Sequence, residues 1–306
     1  MKFPANFLPY TMNLDLYRRV LAGETLTFVL SPRALWRLTG PDSVRYLNGQ
    51  VTNDVADMAD GQVRYAAVCT AKGRMEGDLH IAARNAEFYL DADPSLRESL
   101  GARLDKYLIA DDAAFEDVSD QWSLSHVFGA KAPLAPVGFV TPHSRFGLPG
   151  YDVWHSSTGA VVLGDSVPSD VIETIRLEYG IPLWGAELTS NTLPPEAGPH
   201  MLEGISYTKG CYVGQETIAR LKSVGHVNRT LVFLQSNSDA FPVKGAKLTL
   251  GETEVGSITS SGFSPQKEKG IALAYVQIKA SESGTALKAD GLDLIVSTPL
   301  SSSVNS

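Results

Sequence analysis

The residues best equipped for chemistry lie in one run, Lys209-Gly210-Cys211-Tyr212-Val213-Gly214-Gln215-Glu216. It places an ammonium, a thiol, a phenol, an amide and a carboxylate close together, separated by two glycines. Apolar residues resume only at Ile218, Ala219 and Leu221, so the run reads as a tight loop feeding a helix that begins near Gly214. Free N–H groups at that helix start, with Lys209 beside them, would favour the thiolate of Cys211 and make it nucleophilic. Taken alone, the segment is equally compatible with a cysteine used as a small buried apolar side chain and a Gly-Gln-Glu helix cap.

Other chemistries find less support. His80, His126, His143, His155, His200 and His226 are scattered, without the spacing of metal ligands. Cys69 is the only other cysteine, so a cluster held by this chain alone would lack the usual four thiolates. Two cysteines make no disulfide framework and suit a reducing compartment. There is no glycine-rich phosphate loop ending in Lys-Ser or Lys-Thr, and no nucleophile-elbow motif.

These residues need a scaffold to position them. The 306 residues suggest roughly two or three domains. A net charge of −8 and the lack of a basic run argue against nucleic acid as a partner. No apolar run approaches the roughly 20 residues that cross a bilayer, and the start lacks the pattern of a secretory signal, so the cytoplasm is expected.

Leu96, Leu100, Leu104 and Leu108 repeat every four residues and predict a helix over Asp93 to Leu108, capped by Asp93. Further helices are expected from Pro41 and over Ser169 to Tyr179, the second ended by Gly180. Glu24 to Leu30, Gln62 to Cys69, Asp78 to Ala83 and Glu87 to Asp91 read as strands. From about Val227 short strands alternate with turns, and Asp290-Gly291 signals a hairpin, which predicts a small antiparallel barrel or sandwich. Ser236 to Pro242 reads as a linker edge. The expected organisation is an α+β region over 1–225, built of two intertwined domains, and a β-barrel over 226–306.

The Lys-Gly-Cys-Tyr-x-Gly-Gln-Glu run resembles the signature of the YgfZ family, within the aminomethyltransferase (glycine-cleavage T-protein, GcvT) superfamily. Three more blocks resemble that superfamily: Thr39 to Asp54, Arg176 to Pro182 running on to Gly198, and Gly256 to Ala274. The resemblance implies a three-domain ring around a central folate cavity, closed by a C-terminal antiparallel β-barrel. It implies tetrahydrofolate or a reduced derivative as cofactor, with Glu178 of the Arg-x-Glu-x-Gly block on the pterin. Lys209, Tyr212, Gln215, Glu216, Asn53 and Asp78 are the other implied cofactor-binding positions. Lys209, Arg220 and Arg229 are candidates to meet the glutamate tail, because basic side chains suit carboxylates.

One departure concerns the Gly-Gly-x-x-Asp-Asp stretch that serves the transfer chemistry. Aligned to it, Gly73 to Leu79 puts Gly77 where the first Asp should stand and Asp78 at the second. Cys211 also replaces the usual Asp-like residue of the loop. The expectation is a tetrahydrofolate-binding protein that supports iron–sulfur cluster assembly or repair, with Cys211 as the reactive thiol and iron–sulfur proteins or assembly factors as partners. The alternatives are a one-carbon transferase of glycine-cleavage type and a non-catalytic scaffold with a vestigial pocket.

Overall fold

The computed structural model describes residues 12–134, 138–156, 161–223 and 225–301. Helix α1 (Leu14–Leu21) leads to strands β1 (Thr27–Val29) and β2 (Ala34–Thr39), then helix α2 (Ser43–Gln50). Strands β3 (Val63–Cys69), β4 (Met75–Arg84) and β5 (Glu87–Ala92) follow as a meander, then helix α3 (Arg97–Lys106). Strands β6 (Ala114–Asp117), β7 (Ser123–Phe128), β8 (Gly138–Pro142) and β9 (Gly150–His155) precede helices α4 (Ser169–Glu178), α5 (Gly198–Glu203) and α6 (Gln215–Ser223). The last part holds β10 (Arg229–Ser236), β11 (Lys247–Leu250), β12 (Thr253–Ser264), β13 (Lys269–Gln277), β14 (Ala286–Ala289) and β15 (Leu292–Ser297).

These strands form three bodies. The first is a five-stranded sheet in the order β3-β4-β5-β2-β6, the second a four-stranded sheet in the order β1-β7-β9-β8. The third is a closed antiparallel barrel, β10-β13-β12-β11-β14-β15. Because β1 and β2 lie in different sheets, the chain crosses between the first two bodies within a few residues. The expected strand over Glu24 to Leu30 shrinks to Thr27–Val29, and β6 to β9 fill a stretch without a clear sequence signal. The expected linker edge, Ser236 to Pro242, joins β10 to β11 inside the barrel: its polar residues serve a strand connection, not a domain boundary.

Alternation along β4 decides what each face meets, because successive strand side chains point to opposite sides. Leu79 and Ile81 join the core beneath α2 and α3, with Leu47, Leu100 and Leu104. The opposite face carries Asp78, His80 and Ala82, and Ala82 packs with Leu35, Tyr89, Leu124, Phe139 and Trp154 between the two sheets. The Leu repeat works as expected, although its first turn is a 3-10 turn over Pro94–Leu96, with Asp93 accepting from the Ser95 N–H at 2.9 Å. The Asp290-Gly291 hairpin has positive φ at both residues, 51° and 76°, as a primed turn requires.

Polar links join the bodies. Arg145, almost fully buried, reaches Asp91 of the first sheet at 2.7 Å and Asp152 of the second at 2.6 Å. Arg176 and Glu178 on α4 reach Ser260 and Ser264 on barrel strand β12. No helix among the described residues is long and apolar enough to cross a membrane.

Gly77 lies where β4 passes closest to α3: a Cβ there would stand 2.7 Å from Leu100 Cδ2 and 3.1 Å from Leu96 Cδ1. Gly77→Asp is therefore expected to cost at least about 3 kcal/mol, combining overpacking with an unpaired buried carboxyl. Urea denaturation checks this, and an unchanged midpoint would overturn the facing assigned to β4.

Candidate functional site

The two sheets, α5 and the loop before β9 meet at a polar junction. Tyr65 of β3, Asp78 and His80 of β4, His143 after β8 and His200 of α5 gather there, and each keeps part of its surface open. The Tyr65 ring lies 4.9 Å from both His80 and His200, and His80 lies 4.8 Å from His143. The Tyr65 hydroxyl donates to Asp78 at 2.9 Å. Burial raises the Asp78 carboxyl to about 6, against the lowering effect of that hydrogen bond. Burial also pulls His200 down to about 4 and holds His80 well below the usual imidazole range, so both are neutral at pH 7. Among the described residues no group of three or more His, Cys, Asp or Glu is placed to hold a metal ion.

Asp152 organises the far wall. It accepts from His126 Nδ1 at 2.8 Å, His143 Nδ1 at 2.7 Å and Arg145 at 2.6 Å. Burial alone would raise its carboxyl, but the Arg145 charge and the two histidines outweigh that and hold it well below the usual range.

Gly77 faces the apolar core beneath α3, and the next residue, Asp78, faces the junction. Glycine at 77 therefore removes no acidic group from the junction, and the sequence departure there does not by itself abolish an acid–base residue.

Glu178, at the end of α4, is fully buried. Tyr17 of α1 donates to its Oε2 at 2.7 Å, while the Ser264 hydroxyl and the Gln266 N–H donate to Oε1. Burial raises its pKa, opposed by the Ser264 and Tyr17 hydrogen bonds. Arg176, two residues earlier and also buried, meets Glu187 at 3.2 Å and donates to Ser260 at 3.0 Å. Both charged residues of the Arg-x-Glu-x-Gly block therefore tie α4 to the barrel.

The cysteine loop feeds α6, which starts at Gln215. Lys209 turns inward: its Nζ donates to the carbonyls of Asn48, Val51 and Asn53 at 2.7, 2.9 and 2.5 Å. This satisfies carbonyls left open at the end of α2, where a cation also suits the helix dipole. Burial lowers the Lys209 pKa to about 8, opposed by Asp54, so it stays charged at neutral pH. Its ammonium is thus committed to backbone carbonyls rather than to the Cys211 sulfur. Tyr212 packs with Cys69 in an apolar cluster, Gln215 Nε2 donates to the Gly210 carbonyl at 3.4 Å, and Cys211 and Glu216 are exposed. The Asn53 amide donates to the Tyr65 carbonyl at 2.9 Å and the Glu203 carbonyl at 3.3 Å, fixing β3 against α5. Of the three basic candidates, Arg229 pairs with Glu196 at 3.1 Å and Arg220 is exposed.

Tyr65, His80, His143, His200, Arg145 and Asp152 were not singled out as site residues from sequence. The one usable local signal was the Asp78-x-His80 alternation on a strand; the rest come together only through folding.

Residues 30–135 match the GCVT N-terminal domain family, and residues 229–296 match the glycine cleavage T-protein C-terminal barrel domain family. Proteins called tRNA-modifying protein YgfZ are similar over most of the chain. The one from Klebsiella pneumoniae (strain 342) is 30% identical over 240 residues, 71% of this chain and 73% of its own. That of Cronobacter sakazakii (strain ATCC BAA-894) is 29% identical over 283 residues, 83% of this chain and 85% of its own. A solved structure, the glycine cleavage system aminomethyltransferase T from Bartonella henselae, is similar with a TM-score of 0.81 at 22% identity, covering 97% of this chain and 93% of that one. The chain therefore has the α+β fold of that protein, with its closed C-terminal barrel.

The geometry gives two expected outcomes. A carboxyl whose pKa is raised in the fold contributes stability below its unfolded pKa and loses it as pH rises through the folded value. Relative to Asp78→Asn, the wild type should therefore lose about 2 kcal/mol of stability between pH 4 and pH 7. Denaturation of both proteins across that range checks it, and a constant difference would contradict the raised pKa. Cys69 is buried, with its thiol pushed up to about 12, and Cys211 is exposed. Iodoacetamide should label native Cys211 more than roughly tenfold faster than Cys69, with the contrast vanishing in urea. Mass spectrometry of the alkylated peptides reads this directly.

Proposed function

The chain belongs to the YgfZ family, and on that premise we propose that it binds tetrahydrofolate or a reduced derivative at the polar junction and supports iron–sulfur cluster assembly or repair, with Cys211 as its reactive thiol. The observation that carries the folate reading is the partly open cluster of Asp78, Tyr65 and three histidines in a fold of glycine-cleavage type. Reduced folates have a flat heterocycle rich in N–H donors, and a carboxylate and neutral imidazoles are acceptors for such an edge. His80 Nδ1 is buried with no hydrogen-bond partner, so the wall has polar capacity that the protein itself does not use. A bound reduced folate supplies a carrier for one-carbon units.

In this reading Asp78 meets the ligand directly. Glu178 already accepts three hydrogen bonds, so of its roughly four lone-pair sites about one is left for a pterin. Lys209, Asn53, Tyr212, Gln215 and Glu216 shape the loop and the α2 end that flank the site, and Arg220 is free to meet an anionic tail. The iron–sulfur role rests on the family resemblance and on the exposed thiol, which is open to a partner protein. The curated relatives carry the name of tRNA-modifying proteins. With a net charge of −8, supporting another protein in such a step fits this chain better than gripping RNA itself. A cytoplasmic setting follows from the same reading.

A second reading has its own observation. Asp78, with a pKa of about 6, is suited to general acid–base work, which favours a folate-dependent aminomethyl or one-carbon transferase. Release of ammonia and methylene-tetrahydrofolate from aminomethylated lipoyl carrier, at the rate of an ordinary T-protein, would establish this reading over the first.

Anaerobic calorimetry should show tetrahydrofolate binding at a 1:1 ratio, and the absence of heat with several reduced folates would remove the folate reading. Cys211→Ser should keep its melting temperature and its folate affinity. It should nevertheless fail to restore iron–sulfur enzyme activity in a strain lacking the protein. Full restoration by that variant would leave the loop a structural element.

A further inference from the structure

Among the histidines of the junction, His143 has its ring orientation and its tautomer fixed by the fold. Its Nδ1 sits 2.7 Å from Asp152, a buried residue that Arg145 also contacts. A carboxylate only accepts hydrogen bonds, so Nδ1 carries the proton and, in the neutral ring, the other nitrogen, Nε2, presents a lone pair. Among the described residues no group hydrogen-bonds that Nε2, and it is not among the buried, unpartnered atoms, so it keeps accessible surface. His126 makes the same bond to Asp152, yet its Nε2 is sealed: a Cβ on Gly150 would lie 2.6 Å from it. Of the two imidazoles that Asp152 orients, one closes the wall and the other faces the space.

We propose that the Asp152–His143 pair is a preset hydrogen-bond acceptor of the junction, with His143 Nε2 reading an N–H donor on the edge of a bound flat heterocycle. The proposal rests on the folate reading for the identity of that heterocycle. Asp152 acts through His143 as a positioning residue, because its bond leaves the ring only one tautomer and one orientation. His80 packs edge-on against the His143 ring and limits its swing. The pair thus supplies an acceptor beside His80, which shares a face of β4 with Asp78, so that a donor-rich ring can meet both groups.

Two measurements on the full chain decide it. The first is independent of any ligand: nitrogen-15 NMR of histidine-labelled protein, with His143→Phe used to assign the signal. A protonated Nδ1 and bare Nε2 are expected for His143 at neutral pH, and a proton on Nε2 would overturn the proposal. The second is anaerobic calorimetry with tetrahydrofolate on the wild type and His143→Phe, which keeps a ring but no acceptor. The variant should bind about tenfold more weakly. The wild-type His143 nitrogen signals should shift on binding. Equal affinity of the two proteins and an unmoved signal would overturn the assignment while leaving folate binding in place. A wild type that binds no reduced folate would sink the folate reading and the ligand assigned here together, and the tautomer signal would still decide whether the acceptor exists. Should His143→Phe fail to fold, His143→Leu, a smaller side chain that likewise carries no acceptor, replaces it in the same comparison.

Discussion

The guanidinium of Arg145, buried between Asp91 of one sheet and Asp152 of the other, is the interaction on which the rest of the interior depends. Arg33 lies on the same Asp91 at 2.6 Å, so two cations and two carboxylates balance in a chain that spans the sheet interface. Isolating any one of them would leave an uncompensated buried charge, worth about 3–5 kcal/mol against folding. Apolar packing on Trp154, Phe139 and Tyr89 brings the sheets together without fixing their offset, whereas a planar fork between two carboxylates does fix it. That offset places His143 beside His80.

Most of the charged residues that look chemical in the sequence serve this framework. Lys209 closes the end of α2, Arg176 and Glu178 hold the barrel to α4, and Asn53 fastens β3 to α5. The reason is energetic: a buried polar group without a partner costs more than a satisfied one contributes, so reactive-looking side chains in an interior are first used to satisfy each other. The groups left with spare capacity are fewer: Asp78, the open histidines and, at the surface, the Cys211 thiol. The thiol sits on a loop whose neighbours on both sides are pinned, Lys209 to α2 and Tyr212 to the apolar cluster around Cys69. It is therefore an exposed group on a fixed support.

By itself the sequence determined the elements whose signals are local. The Leu repeat and its Asp93 cap, the primed turn at Asp290-Gly291, the strand alternation of the β3 to β5 meander and the barrel strands all follow from period, capping and turn chemistry within a few residues. The eight-residue run from Lys209 to Glu216 placed the cysteine loop before a helix, and the structure has it there. What only the tertiary structure decided is which side chains share a space. Tyr65, Asp78 and His80 come from the β3–β4 meander, His143 from the loop after β8 and His200 from α5, and no local pattern links these three parts of the chain. The direction of a side chain was also beyond the sequence. Gly77 and Asp78 are neighbours in an aligned motif, yet one lies against Leu100 and the other faces the junction, because a strand turns successive residues to opposite sides and only packing settles which side is the core.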